Sequence, residues 1–287
     1  MSPFDYEYLC KMLKDRSGLV LAPEKQYLVE SRLMPVARRN ECNTISDLLQ
    51  HIKGPGSDGL RVEVTEAMMN NESFFFRDKI PFDRVQDTVL PDLLQKRART
   101  RRIRIWSAAA STGQEPYSLA LMLAGWPGLA GWQIDIVATD ISNDALEQAK
   151  SGVYSQFEVQ RGLPIQMLMR YFEQIDEQWR IADKFRNMVH FRQLNLLNDF
   201  SILGMFDVVF CRNVLIYFDQ ATKLDVLGRV RRVIAADGYL VLGAAETMVG
   251  LGDCFMPVPE KRGLYRPKPR VETAGVLKPV PGGVRVA

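Results

Sequence analysis

WSAAASTGQEPYS, residues 106–118, decides the fold of this chain. It follows RIRI at 102–105, a basic and then apolar run that predicts a short buried strand entered from the surface. The small residues at 108–113 predict a tight loop, and Glu115-Pro116 predicts the start of a helix with proline in its first turn. A strand, a tight loop and a helix N-terminus form the nucleotide-binding corner of a doubly wound α/β sheet, because backbone N–H groups there approach a ligand closely.

The composition of the loop limits which classes of ligand it can bind. Gly113 is the only glycine in it, so the GxGxxG fingerprint of dinucleotide-binding proteins is missing, and the absence of Gly-Lys-Ser/Thr excludes a phosphate-binding P-loop. Glu115 lies at the lip of the loop, where a carboxylate suits a positively charged ligand group, such as the ammonium or sulfonium of S-adenosylmethionine. Alternatively, Glu115 is only a favourable charge in the first turn of a helix. The spacing alone leaves both interpretations open.

A second acid supports a nucleotide-like ligand. Residues 133–140 predict a strand that ends in Asp140, and the residues after it predict a helix start. Asp140 follows Gly113 by 27 residues, somewhat more than the roughly 20 expected for an acid that binds ribose hydroxyls. An insertion at 126–128, which indicates a helix exit, accounts for the difference. Asp140 could instead be an N-cap, as could Ser142 or Asn143, and both roles are compatible.

Later segments complete the predicted sheet. Strands are expected at 190–196, 206–211, 238–243 and 264–266, the last closing a β-hairpin. Residues 212–218 leave the carboxyl end of the 206–211 strand, which is where ligands bind in open α/β sheets. The alternation of strands and helices matches the outline of an S-adenosylmethionine-dependent methyltransferase.

Six segments together resemble one enzyme family. They are NESFFFR (71–77), WSAAASTGQEPYS (106–118), ATDIS (138–142), NLL (195–197), CRNVLIYFD (211–219) and GYLVLGAAE (238–246). In this order, from about residue 4 to about residue 266, the chain resembles the chemotaxis receptor-glutamate O-methyltransferases, the CheR family. The resemblance implies methyl transfer from S-adenosylmethionine to glutamate carboxylates of chemoreceptors, giving glutamate methyl esters and S-adenosylhomocysteine in chemotaxis adaptation.

The resemblance also implies the site residues. Those matching cofactor-binding positions are Asn71, Ser73, Arg77, Glu115, Asp140, Asn195, Leu196, Arg212 and Asn213. Arg77 and Tyr217 match positions near the transferred methyl and are the candidate catalytic residues. Ser73 stands where threonine is more usual, and Gln114 where glutamate is frequent; neither change removes a group that the cofactor requires.

The expected chemistry agrees with the residue inventory. A glutamate side chain has an ordinary pKa of about 4.3, so the acceptor is already ionised at pH 7 and needs no general base. The two histidines, His51 and His190, have no catalytic spacing. Alignment and exclusion of water should therefore carry most of the rate enhancement. Arg77 is expected to hold one carboxylate oxygen while the other attacks. Tyr217 either assists there or is simply a packed aromatic residue.

Composition indicates a cytoplasmic enzyme. The 287 residues are 47% hydrophobic, enough for one large or two modest domains, and no run of 18 apolar residues predicts a membrane span. The first residues do not resemble a signal peptide. The four cysteines are scattered without metal-ligand spacing, so no metal site is expected. The net charge of +3 is too small to argue for nucleic-acid binding.

Residues 1–94 are expected to form a helical, substrate-facing domain, followed by a linker to about residue 104. Lys25, Arg32 and Arg39 are spaced by seven, with Arg38 beside them, and would share one helix face unless Pro35 kinks or splits the helix. Such a stripe is usually just a solvated face. In the family this domain faces the Glu-rich cytoplasmic methylation helices of chemoreceptors, which a basic stripe would steer.

The methyltransferase domain is expected at 103–270, with an inserted antiparallel β-subdomain at 152–189 and a flexible tail at 271–287. In some family members the subdomain holds a pentapeptide from the receptor C-terminus through a glycine-containing loop. Here the turn at 174–178 is short and has no glycine. We therefore predict a pentapeptide-independent enzyme.

Three other functions stay open at this point. A nucleic-acid amino-methyltransferase would usually show Pro-Pro-Tyr/Phe after the fourth strand, where this chain has CRNV at 211–214. A nicotinamide dehydrogenase is disfavoured by the missing glycines. A non-catalytic, cofactor-binding regulator of receptor arrays would retain every binding residue.

Overall fold

The N-terminal region is helical in the computed structural model, which describes residues 1–248, 250, 252 and 254–269. The tail predicted at 271–287 lies outside the described residues. Before the large sheet, the described helices are α1 (Pro3–Ser17), α2 (Gln26–Arg39), α3 (Ile45–Lys53), α4 (Asp58–Met68), α5 (Ile80–Arg84) and α6 (Leu90–Lys96). A 3₁₀ turn, Pro23–Lys25, precedes α2, and a π-helical segment, Val85–Val89, joins α5 to α6.

Local signals in the sequence set the ends of these helices. Ser2 caps α1 by accepting from the Asp5 N–H, and Gly18 ends it in the left-handed conformation, with φ +78°. Helix α2 continues through Pro35 to Arg39, so the proline does not split it. Val36 and Ala37, directly after the proline, are buried in the helical core, and their packing offsets the hydrogen bond that the ring removes.

The remaining elements form an α/β domain. Its described helices are α7 (Gln114–Ala124), α8 (Asn143–Ser151), α9 (Gln156–Gln160), α10 (Ile165–Tyr171), α11 (Asp183–Arg186) and α12 (Gln220–Val233). Its described strands are β1 (Arg102–Ala108), β2 (Gln133–Asp140), β3 (Val153–Ser155), β4 (Phe172–Ile175), β5 (Gln178–Ile181), β6 (Val189–Gln193), β7 (Phe206–Cys211), β8 (Ile234–Leu242), β9 (Phe255–Pro257) and β10 (Leu264–Pro267).

The predicted doubly wound sheet is confirmed. Among the described residues it has seven strands in the order β6-β2-β1-β7-β8-β10-β9. The first five are parallel, and β10 pairs antiparallel with both β8 and β9, which forms the predicted closing hairpin. Alternate residues of β7 bury on opposite faces: Val208 and Phe210 belong to the core that contains α7, and Val209 and Cys211 to the core that contains α12. Burial on both faces explains the continuous apolar run in this strand.

Strand ends agree with the sequence prediction to within a few residues. β2 and β7 have the predicted bounds, whereas β6 ends at Gln193 instead of at residue 196, and β8 begins earlier, at Ile234. Ala108, the last residue of β1, lies beside Thr139 of β2 and Cys211 of β7. The loops that follow these three strands therefore meet at one edge of the sheet.

The predicted β-subdomain is also present, as a second sheet of three antiparallel strands in the order β3-β5-β4 within the described residues. The turn between β4 and β5 is tight, with Asp176 at φ +52°. Among the described helices, none is long and apolar enough to cross a membrane.

Candidate functional site

The loop between β1 and α7 is tightly folded, as its small residues predicted. Ala109, Ser111 and Gly113 all have positive φ, at +60°, +51° and +94°. A Cβ atom on Gly113 would lie 2.8 Å from the Ala149 Cβ, so glycine is needed there for space as well as for conformation. The loop therefore brings backbone close to whatever occupies the edge of the sheet.

Asp140 secures this loop from the end of β2. Its carboxylate accepts from the backbone N–H of Ser111 at 2.7 Å and from that of Ser142 at 2.9 Å, and the residue is 5% exposed. Burial raises the pKa of Asp140, against the lowering effect of these hydrogen bonds. Ser142, not Asp140, is the N-cap of α8, since its hydroxyl accepts from the Ala145 N–H. Asp140 is thus free of the capping role.

Glu115 has a partner that the sequence did not reveal. It forms an ion pair of 2.8 Å with Arg212, the first residue after β7, and also accepts from the Ser107 hydroxyl at 2.8 Å. The Arg212 side chain is 1% exposed and also pairs with Asp78, at 3.0 Å. Its second terminal nitrogen donates to the Arg77 carbonyl at 2.7 Å. One arginine therefore joins the α7 corner, the β7 exit and the segment that carries Arg77.

The segment between α4 and α5, residues 69–79, crosses the carboxyl edge of the sheet. Asn71 accepts through its carbonyl from the Ser111 hydroxyl at 2.7 Å, and Asn70 donates to the Tyr217 hydroxyl at 2.8 Å. Arg77 donates to the Glu72 carbonyl at 2.8 Å, and its guanidinium carbon lies 5.4 Å from the centre of the Phe74 ring. We call residues 69–79 the linker segment.

Two adjoining cavities lie at this edge. The larger, about 270 Å³, is lined by Asn195 and Leu196 and by residues of the N-terminal helical region. The smaller, about 100 Å³, is lined by six of the predicted cofactor residues, which are Asn71, Ser73, Arg77, Glu115, Arg212 and Asn213. Asp140 and Tyr217 line both. The fold thus brings together every residue proposed for cofactor binding or catalysis, and their individual roles stay predictions.

The four predicted docking residues have different surroundings, and their role in docking stays a prediction. Arg32 donates to the carbonyls of Met68 and Met69, at 2.6 and 3.1 Å, and lines the larger cavity with Lys25. Arg39 pairs with Glu63 at 2.8 Å. Arg38 is exposed. The seven-residue spacing overlooked the neighbouring helix α4, whose C-terminal carbonyls and Glu63 satisfy two of the arginines.

Three contributors to the site were missed at the sequence level: Asn70, Asp78 and Glu246. The first two flank the NESFFFR segment, so proximity to it was an available signal. Glu246 ends the GYLVLGAAE segment, and its carboxylate accepts from the N–H groups of residues 213–215, which nothing in its spacing indicates. Such a contact depends on the arrangement of β7 beside β8.

The residues around the cavities suit S-adenosylmethionine. Asp140 offers a buried carboxylate for hydroxyl donors, and Glu115 offers one for an ammonium group. The Arg212 Nε is buried and has no hydrogen-bond partner among the described residues. The edge of the sheet therefore presents carboxylates of the kind that hydroxyl and ammonium groups bind.

Comparison with family models covers nearly all of the chain. The model described as "CheR methyltransferase, SAM binding domain" matches residues 71–264, and that described as "CheR methyltransferase, all-alpha domain" matches residues 5–69. The boundary between the two matches falls at the beginning of the linker segment.

Similar proteins carry matching descriptions. Chemotaxis protein methyltransferase 1 of Vibrio cholerae is 40% identical over 260 residues, which cover 89% of this chain and 93% of that protein. Chemotaxis protein methyltransferase 1 of Pseudomonas aeruginosa is 40% identical over 270 residues, covering 92% and 98%. A solved TehB-like SAM-dependent methyltransferase from Corynebacterium glutamicum aligns with 67% of this chain and 89% of its own, at 15% identity and a TM-score of 0.39.

Proposed function

The chain belongs to the CheR methyltransferase family, and from this premise we propose that it methylates glutamate side chains of chemoreceptors. The observation that carries the proposal is the meeting of Glu115, Asp140 and the linker segment around two joined cavities. The products of the proposed reaction are a glutamate methyl ester and S-adenosylhomocysteine. Methylation of this kind belongs to chemotaxis adaptation.

Each part of the site has a proposed task toward S-adenosylmethionine, which when bound supplies an electrophilic methyl group. Asp140 accepts from ribose hydroxyls, and Asn195 and Leu196 hold the adenine in the larger cavity. Glu115 accepts from the ammonium group. Ser107 donates to one oxygen of Glu115 and Arg212 to the other, so each oxygen can still accept a further hydrogen bond. Asn71, Ser73 and Asn213 complete the smaller cavity.

The acceptor glutamate needs positioning rather than activation. At pH 7 its carboxylate is ionised, since its ordinary pKa is about 4.3. Arg77 binds one carboxylate oxygen and leaves the other aimed at the methyl group, a geometry that a planar guanidinium favours. The Tyr217 hydroxyl already accepts from Asn70 and keeps its own proton to donate to the carboxylate.

The partners follow from this acceptor. We propose the cytoplasmic methylation helices of chemoreceptors as substrates, docking on the helical domain at 1–94 while the domain at 103–270 binds the cofactor. This assigns the enzyme to the cytoplasm, without a role in nucleic-acid binding or membrane insertion.

Incubation with methyl-labelled S-adenosylmethionine and a receptor cytoplasmic fragment tests the function. We expect label on the fragment that mild base releases as methanol, because a carboxyl ester hydrolyses readily. Base-stable label would indicate methylation of an amine or nucleic acid instead. Binding of S-adenosylhomocysteine without any transfer would favour a non-catalytic regulator. Asp140→Ala is the matched control, and it should abolish both binding and label.

The pentapeptide-independent subtype has a separate test. The turn between β4 and β5 spans only Asp176 and Glu177, which leaves little backbone for a peptide to pair with. Titration with a receptor-tail pentapeptide in a calorimeter should therefore give no heat at micromolar concentrations. A micromolar dissociation constant would contradict the assignment.

A further inference from the structure

Glu246 holds the chain that leaves β7. It is 8% exposed, and both of its carboxylate oxygens accept from backbone N–H groups. Oε2 accepts from Gly243 and Asn213, both at 2.8 Å. Oε1 accepts from Val214 at 3.1 Å and from Leu215 at 2.8 Å. Since all four partners are donors, this position requires a side chain that offers only acceptors, as a carboxylate does.

The backbone around Glu246 is shaped to make these contacts. Asn213 has φ +58°, a left-handed conformation that turns successive N–H groups to one side. A Cβ atom on Gly243 would lie 2.7 Å from Glu246 Oε2 and 3.1 Å from the Asn213 nitrogen, so only glycine fits. The ends of β7 and β8 are thus tied together by one side chain.

The chain held by Glu246 carries two site residues. Asn213 lines the smaller cavity, and Tyr217 lines both. Tyr217 is fixed at its other end by the N-terminal region, because its carbonyl accepts from the Val20 N–H at 2.9 Å. Between Leu215 and Tyr217 the chain forms a single 3₁₀ turn, so a shift at Leu215 passes directly to the phenol.

We propose that Glu246 is a positioning residue for methyl transfer, acting through the backbone of residues 213–215 to place Asn213 and Tyr217 at the cavities. This inference rests on the proposed function, since it concerns the same reaction. All four hydrogen bonds that the Glu246 carboxylate accepts come from backbone N–H groups. Its effect on catalysis is therefore indirect.

Glu246→Gln is the discriminating variant. It keeps size and shape, but its NH₂ group must face two of the four N–H donors, which pushes residues 213–215 out of place. We expect kcat on a receptor fragment to fall about 10- to 100-fold, as misplacement by roughly 1 Å does in other enzymes. Affinity for S-adenosylhomocysteine should fall by a smaller factor than kcat, because Asn213 is the one proposed cofactor residue that this contact holds directly, whereas Glu115, Asp140 and Asn195 do not bond to Glu246.

Asp207→Asn is the matched control. Asp207 lies near the opposite end of β7, is 9% exposed, and accepts from the Arg97 side chain and the Arg104 N–H, both at 2.8 Å. Its loss should lower the melting temperature while kcat stays within about twofold of the wild type. A Glu246→Gln variant whose folded fraction turns over as fast as Asp207→Asn would overturn the proposal.

A second variant and a second measurement keep the outcome decisive. If Glu246→Gln does not fold, Glu246→Asp retains both acceptors but withdraws them by one methylene, and kcat within twofold of the wild type would then count against positioning. Hydrogen exchange of the peptide 211–218 should accelerate in either variant. If the wild type transfers no methyl to any receptor fragment, the proposed function fails, whereas unchanged exchange in 211–218 refutes the anchoring by Glu246 itself.

Discussion

Arg212 shows how one residue links the acids of the site to the segment that carries Arg77. It pairs with Glu115 and Asp78 and donates to the Arg77 carbonyl. Asp78 has φ +65°, and the adjacent Lys79 has φ +38°. Such conformations are costly for residues with a Cβ atom and persist only where the surroundings impose them. The arginine supplies that constraint, so the position of Arg77 depends on contacts far from it in sequence.

Arg77→Ala should lower kcat far more than cofactor affinity, if orienting the carboxylate is its main task. We expect kcat on a receptor fragment to drop about 100-fold or more. The dissociation constant for S-adenosylhomocysteine should rise less than about tenfold. Steady-state kinetics and calorimetry measure the two effects. Arg77→Lys keeps the charge without the planar fork and should recover only part of the rate. Equal losses in binding and turnover would instead assign Arg77 to the cofactor.

The raised pKa of Asp140 predicts how stability and cofactor affinity depend on pH. Burial raises its pKa above the ordinary 3.8. Its contribution to stability is therefore fully present below the pKa of the unfolded chain and is lost as pH rises through the raised folded value. Affinity for the ligand changes with pH in the opposite direction and rises as Asp140 ionises, because only the ionised carboxylate accepts from hydroxyls through both oxygens.

Affinity for S-adenosylhomocysteine should thus weaken as pH falls from 7 toward the raised pKa of Asp140, before an ordinary aspartate would protonate. Asp140→Asn should bind about 10- to 100-fold more weakly at pH 7, the loss of a hydrogen bond to a charged group. It should also lack the acidic decline. Calorimetry over a descending pH series from pH 7 measures both, and an identical pH profile in the two proteins would contradict the assignment.

At the scale of elements, the β-subdomain packs on the linker segment. Phe75 is fully buried and makes edge contacts with Tyr154 of β3 and Phe172 of β4, at centroid distances of 5.1 and 5.7 Å. Gly162 has φ +87°, and a Cβ atom there would overlap the Phe75 carbonyl oxygen. Arg161 pairs with Glu72 at 2.5 Å. The subdomain therefore supports the segment that positions Arg77, whatever it contributes to receptor binding.

Gly162→Ala should lower both stability and turnover. The left-handed conformation alone costs about 1–2 kcal/mol for alanine, and relief of the overlap must move Phe75, two residues before Arg77. We expect a lower urea midpoint and a fall in kcat of about tenfold or more. Gly228→Ala in α12 is the control, since a Cβ atom there meets nothing within 4 Å. It should be neutral or stabilise by up to about 1 kcal/mol. Wild-type turnover in Gly162→Ala would show that the subdomain does not support Arg77.

At the scale of the whole molecule, the N-terminal helices close the larger cavity. Lys14 pairs with Asp219 at 2.7 Å, and the Asn195 side chain donates to the Arg16 carbonyl at 2.6 Å. Gly18 lets α1 end directly against the Phe218 ring, 2.9 Å from where its Cβ atom would be. The helical region thus contributes walls to the larger cavity, in addition to the receptor-facing role proposed for it.

A variant of the exposed residue Arg38 tests whether the positive charge of this region attracts an acidic receptor fragment. Arg38→Glu should lower kcat/KM on an acidic receptor fragment about 3- to 10-fold at low salt, and the difference should shrink above about 0.5 M salt as charges are screened. Arg99→Glu carries the same charge change on an exposed residue just before β1, at the opposite edge of the sheet. It should leave kcat/KM nearly unchanged. Equal effects of the two variants would indicate net charge rather than docking.

The sequence by itself determined the order of strands and helices, the edge of the sheet that holds the site, and its two acids, Glu115 in the first turn of α7 and Asp140 at the end of β2. These follow from short-range information, because apolar runs, small residues and a helix start fix local structure within a few positions. Only the tertiary structure decided that Arg212 pairs with Glu115, that Glu246 binds the backbone after β7, and that α4 contacts Arg32 and Arg39. Those contacts join residues 24 to 97 positions apart, and their existence depends on how packed elements align rather than on any spacing along the chain.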